Sequence, residues 1–138
     1  MISTAWLSKQ KTNYALSSSS DDYSYADAAG GYVDVTNLSV TIQLSGKAPV
    51  LLLLVSNNTY TRIHGGGGTF IKIYDSGDSS IKSEGIVGAG ANEYSPSGIV
   101  GFDPTPSAGS HTYKVAADSR SGSGTYYVYY VKLLAIEL

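Results

Sequence analysis

"GTYYVYYVKLLAIEL", residues Gly124 to Leu138, is the stretch on which the reading of this chain turns. Strand side chains alternate between faces, so a single extended strand would place Tyr126, Val128, Tyr130, Lys132, Leu134, Ile136 and Leu138 on one side. The other side would carry Tyr127, Tyr129, Val131, Leu133, Ala135 and Glu137. Both are largely apolar. A strand in a solitary two-layer sandwich needs only one apolar face, so something beyond the chain's own core is expected to cover the second.

Outward from that stretch the chain reads as all β. No segment carries a helical stripe of apolar residues over ten or more positions. Strands are expected over Thr4 to Ser8, Asn13 to Ser17, Tyr32 to Val35, Leu38 to Leu44, Val50 to Ser56 and Thr59 to Ile63. Further ones are expected over Thr69 to Asp75, Ile81 to Val87, Ser97 to Phe102, His111 to Ala117 and Thr125 to Leu138. Between them lie "SGK", "SNN", "HGGGG", "DSGD" and "DPTPSAGS", rich in residues that fix turns or accept positive φ. Many short strands with such punctuation indicate a sandwich or barrel. In "NLSVTIQL", Leu38, Val40, Ile42 and Leu44 share one face, and in "TFIKIYD", Ile71 and Ile73 face the core. "SSSSDDYSYADAAGG", residues 17–31, reads as a long surface loop carrying Tyr23 and Tyr25.

The composition narrows the function. With 138 residues the chain suits one domain, 1–138, with N-terminal strands and a polar loop in 1–30. Charged residues make up 14%, the formal net charge is -2, and no run of Lys or Arg occurs, which sets nucleic acid aside as a partner. There are no cysteines, hence no disulfide, thiolate metal site or Cys nucleophile. The longest apolar run, "APVLLLLV", is too short to cross a bilayer as a helix and reads as a buried strand, so no membrane insertion is expected.

No catalytic or cofactor-binding residue is assigned. "IHGGGGTF" lacks the Lys and Ser/Thr of a phosphate loop and leads into a strand, so it reads as a hairpin tip. His64 and His111 have no second His or carboxylate at ligand spacing, and no GxSxG elbow occurs. "SSIK", Ser79 to Lys82, matches SxxK formally but follows a turn into a strand. Asp21, Asp22, Asp75, Asp78 and Asp103 are oxygen ligands of the type calcium takes, without its loop spacing, and Asp is ordinary in turns. No metal or cofactor is assigned. Asn37 and Asn57 match the glycosylation acceptor pattern.

Tyr126, Tyr127, Tyr129 and Tyr130 could stack on sugars or pack between subunits, and their continuation into "LLAIEL" favours subunit packing. "GGYVDVTNLSVTIQL", "APVLLLLVSN", "GGTFIKIYDSG", "AGSHTYKVAA" and the closing strand together resemble the tumour-necrosis-factor-like and complement-type globular jelly rolls of viral and bacterial surface proteins, over Gly30 to Leu138. The resemblance implies a two-sheet antiparallel jelly-roll sandwich that forms a homotrimer. It places the last strand between core and subunit interface, with Tyr127, Tyr129, Val131 and Leu133 on the interface side. Lys132 then falls on the core side, where it is awkward unless a bulge re-registers the strand near it.

The expected function is that of a non-enzymatic virion structural protein: a spike, turret, fibre-tip or vertex component acting in assembly or host attachment. Its partners would be its own copies, other capsid proteins, and a host receptor or glycan at the virion surface. The alternative is a secreted or cell-surface adhesion module, with Tyr23, Tyr25 and Tyr60 on ligand-contacting loops.

Overall fold

Tyr130 holds a φ of 51° in the computed structural model, and this one left-handed residue splits the terminal stretch into two strands, Gly124–Tyr129 and Val131–Glu137. Structure is described for residues 12–20, 22–27, 31–56, 62–65, 68–87, 99–119 and 124–138. In chain order the strands are β1 (Asn13–Leu16), β2 (Asp22–Asp27), β3 (Val33–Leu44), β4 (Val50–Ser56), β5 (Arg62–Gly65) and β6 (Thr69–Asp75). They continue with β7 (Ile81–Val87), β8 (Val100–Asp103), β9 (Gly109–Ser119), β10 (Gly124–Tyr129) and β11 (Val131–Glu137). Among the described residues there is no helix.

Two four-stranded antiparallel sheets, β1-β11-β4-β8 and β3-β9-β6-β7, pack into a sandwich with jelly-roll order. A three-stranded sheet, β2-β10-β5, takes up the same three chain segments as β1-β11-β4, in the same order, beyond the break at Tyr130. Between the two pairings the chain is held by serines. The Ser17 and Ser20 amides donate to the Leu133 and Val131 carbonyls at 2.9 Å each. The hydroxyls of the same serines accept the Leu133 and Val131 amides at 2.9 and 3.0 Å. Side chains thus replace ladder partners where the strand turns, and both serines are buried.

The core follows the alternation of the long strands. Leu38, Val40, Ile42 and Leu44 of β3 share the inner face of their sheet with Ile71 and Ile73 of β6 and Tyr113 and Val115 of β9, and lie in one buried cluster with Leu52 and Leu54 of β4 in the opposing sheet. Each fully buried Leu or Ile there contributes roughly 1.5–3 kcal/mol by leaving water. The separate strands expected at Tyr32 to Val35 and Leu38 to Leu44 are one strand with a bulge: the register shifts between Asp34 and Ser39, and Asn37 sits at φ 67°. The shift keeps both Val35 and Leu38 inside.

Several expectations are corrected. Tyr23 and Tyr25 lie on β2, paired with Val128 and Tyr126, and not on a loop. A polar sequence is sufficient for a strand when a ladder is supplied by a neighbour. His64 and Gly65 close β5 opposite Tyr127 and Tyr126, so the strand runs into what reads as a hairpin tip. Val131 and Leu133 are not interface residues: both are fully buried in the sandwich core, because Tyr130 reverses the side to which alternate residues point. Tyr60, Asn57, Asp21 and the expected strand at Thr4 to Ser8 lie outside the described residues.

Candidate functional site

The reversal at Tyr130 turns Tyr126 and Val128 inward together with Val131, Leu133 and Ala135, each essentially inaccessible. Tyr127 and Tyr129 of β10 therefore point outward, as do Lys132, Leu134 and Ile136 of β11, all half-buried. The Tyr127 and Tyr129 rings lie near-parallel with centroids 5.6 Å apart. Lys132 leaves the core side, as a re-registered strand requires.

The outward side chains align across the whole sheet. Tyr14, Ile136, Leu51 and Phe102 stand opposite one another in one row, and Leu16, Leu134, Leu53 and Val100 in the next. Lys132 and Val55 begin a third. At the two edges the side chains are open to solvent, with Tyr14 67%, Leu16 49%, Val100 56% and Phe102 48% exposed. Between them the leucines and Ile136 cover one another in part. Four strands about 4.8 Å apart and three rows about 7 Å apart give a flat footprint on the order of 400 Å². That is the size of the largest apolar patch on a typical soluble protein, and roughly half of what a standard interface buries on each partner.

On the inward side, at one end of the sandwich, a polar group ties the sheets together. The Glu137 carboxylate accepts from Asn13 Nδ2 at 2.9 Å and from the Ser45 amide at 2.7 Å, which hold it below the usual carboxylate range. These bonds tie edge strand β1 and the β3–β4 turn to the end of β11. The outer face is a largely apolar surface carried on a sheet, with Lys132 as a charge within it.

A second group of chemistry-bearing residues was not legible as a unit. Asp75, Asp103 and His111 place ligand atoms within 4.8 Å of one another. Asp75 Oδ2 lies 2.5 Å from His111 Nδ1, and His111 Nε2 lies 3.0 Å from the Ser107 carbonyl and 3.2 Å from its hydroxyl. Asp103 Oδ2 takes the Tyr113 hydroxyl at 2.8 Å and the Lys82 ammonium at 3.0 Å. The Asp75 bond, opposed by burial and aided by the Ser107 carbonyl, raises the imidazole above its ordinary value. As an imidazolium it donates from both nitrogens, to a carboxylate and to a carbonyl. Two carboxylates then balance one ammonium and one imidazolium. The cluster acts as an inter-sheet clip, joining β6, β7 and β9 of one sheet to β8 of the other. In the sequence Asp75 and Asp103 stand singly as turn residues; only the β6–β9 register, which sets Asp75 against Tyr113, brings Asp75 to His111.

Among the described residues no helix is long and apolar enough to cross a membrane. No family model matches the chain, and no curated protein matches it.

Proposed function

We propose that the chain is a non-enzymatic structural subunit of a virus particle surface, a spike, turret, fibre-tip or vertex component, that assembles as a homotrimer. The observation that carries this reading is the apolar grid on the outer face of β1-β11-β4-β8, where eight apolar side chains stand in two registered rows. An apolar sheet face with Lys132 as its charge has the composition of the core of an interface between like subunits, and its roughly 400 Å² would form the centre of a larger contact. A partner recognised by charge would call for a charged face instead. The threefold order and the virion setting come from the resemblance to tumour-necrosis-factor-like and complement-type jelly rolls. In such an assembly the opposite sheet, β3-β9-β6-β7, is displayed outward and serves attachment.

The test is the solution mass of the native chain by light scattering over a range of concentrations. A trimer has three times the 14.5 kDa of one chain. A monomer at every concentration overturns the assembly reading, and a dimer overturns the threefold one.

A further inference from the structure

The outer face of β3-β9-β6-β7 is built on a different chemistry. Lys72 Nζ lies 4.4 Å from the Tyr32 ring centroid and 5.1 Å from that of Tyr74. The Tyr74 hydroxyl donates to Asp34 at 2.6 Å, and Lys114 reaches the other Asp34 oxygen at 2.9 Å. The Tyr32 hydroxyl donates to Glu84. The Tyr32 and Tyr74 rings are thus fixed at both face and tip. Beside Tyr32 lies a shallow, open cleft of about 460 Å³, lined among the described residues by Tyr32, Phe70, Glu84, Gly85, Ile86 and Asp118.

We infer that this cleft binds a neutral pyranose unit of a glycan. Its volume lies in the range of small-ligand sites, and its walls combine two aromatic rings with two carboxylates. Aromatic rings offer apolar area to the C–H side of a sugar ring, and carboxylates accept hydrogen bonds from vicinal hydroxyls. The wall residues are registered neighbours, with Phe70 opposite Ile86 on β7 and opposite Asp118 on β9. Asp118 is further positioned by the Gly31 amide, which donates to it at 3.2 Å. A site carried on strands with braced side chains loses little entropy on binding.

Charge selects within the sugars. Glu84 and Asp118 oppose an anionic sugar. Lys72 lies against the Tyr32 ring and directly opposite Glu84 in the ladder, so it offsets one of the two carboxylate charges and weakens the pull on a cationic ligand. A neutral polyol uses the carboxylates as hydrogen-bond acceptors alone. This inference deepens the attachment part of the proposed function. Its readout does not involve oligomeric mass, so either reading can fail while the other stands.

The test is an amide-resolved NMR titration of the full chain with the methyl glycosides of galactose, glucose, mannose and N-acetylglucosamine. The methyl glycoside of N-acetylneuraminic acid and Nα-acetyl-lysine amide serve as charged probes. The expected result is a saturable shift of the Tyr32, Phe70, Gly85 and Ile86 amides with at least one neutral glycoside, and about tenfold or greater weakening in Phe70→Ala. Ile86→Arg, at a position 49% exposed, fills the cleft without touching the core and abolishes the same shifts. The spectrum itself reports whether each variant is folded. Absence of shifts with all four neutral glycosides, persistence of binding in Ile86→Arg, or preference for either charged probe overturns the inference.

Discussion

Ser20 and Val131 exchange two hydrogen bonds in which a side chain stands in for backbone: the Ser20 amide donates to the Val131 carbonyl at 2.9 Å, and the Val131 amide donates to Ser20 Oγ at 3.0 Å. Both residues are buried, so no water replaces a lost partner. Ser20→Ala leaves the Val131 amide without an acceptor and is expected to destabilise the fold by about 1–3 kcal/mol. Ser18→Ala, at an exposed position, is expected to stay within about 0.5 kcal/mol of the parent. Urea denaturation of the two variants measures the difference.

Leu133 and Leu134 are sequence neighbours with different tasks. Leu133 is fully buried between the sheets, and Leu133→Ala is expected to cost about 2–5 kcal/mol in chemical denaturation. Leu134 stands in the outward row with Leu16 and Leu53, and under the proposed assembly Leu134→Asp is expected to leave the folded subunit intact while lowering the solution mass to that of a monomer. Circular dichroism and light scattering on the same samples separate the two effects. Equal loss of folding in both variants contradicts the assignment of faces.

His111 makes stability depend on pH in a defined direction. Its folded pKa is raised above the ordinary 6.5, chiefly by the bond to Asp75. Below 6.5 the imidazole is protonated in folded and unfolded chains alike, and the stabilisation is fully present. As the pH rises through the folded value the native protein gives up that proton, and the stabilisation is lost. Unfolding free energy is therefore expected to fall as pH climbs from 6.5 toward and through the raised value, and His111→Gln is expected to flatten the curve in that window. Asp75 and Ser107 contact the ring, Asp103 lies near it with Lys82 and the Tyr113 hydroxyl as its own partners, and burial with the Asp103 bond holds Tyr113 protonated throughout.

Gly46 is fixed by two constraints at once. Its φ is 72°, and a Cβ there would lie 2.5 Å from the backbone nitrogen of Ala108 in the neighbouring loop. Gly31 also holds a positive φ, 115°, but among the described residues a Cβ there meets nothing within 4 Å. Gly46→Ala is expected to lower the urea midpoint well beyond Gly31→Ala, whose penalty is conformational, on the order of 1 kcal/mol. Equal penalties would show that the approach of Ala108 relaxes freely.

The parts of the fold legible in the sequence are those where alternation runs long. Leu38 to Leu44 and Ile71 with Ile73 show their inner face directly, because a period of two repeated over a ladder leaves one consistent assignment. The apolar second face of the terminal stretch was equally legible as a fact. Its residues were not, because Tyr130 adopts a left-handed conformation without the Gly or Asn that usually signals one. The serines at 17 and 20 read as solvent-loving for the same kind of reason: their hydroxyls satisfy amides 116 and 111 positions away. Asp75 and His111 are 36 residues apart and meet only through the pairing of two strands.

The left-handed residue at 130 gives the terminal strand something like a reading frame. Val131, Leu133 and Ala135 in one phase, and Leu134 and Ile136 in the other, are hydrophobic enough that either set could fill a core. Hydrophobicity alone therefore cannot choose between them. The choice rests on Lys132, which resists burial, and on the pair of serines that clamp Val131 and Leu133 in place. Were Tyr130 extended like its neighbours, alternation continued from Val128 would turn Val131, Leu133 and Ala135 outward and Leu134 and Ile136 inward, so the conformation of a single residue decides the subunit's outward surface without altering any residue's identity.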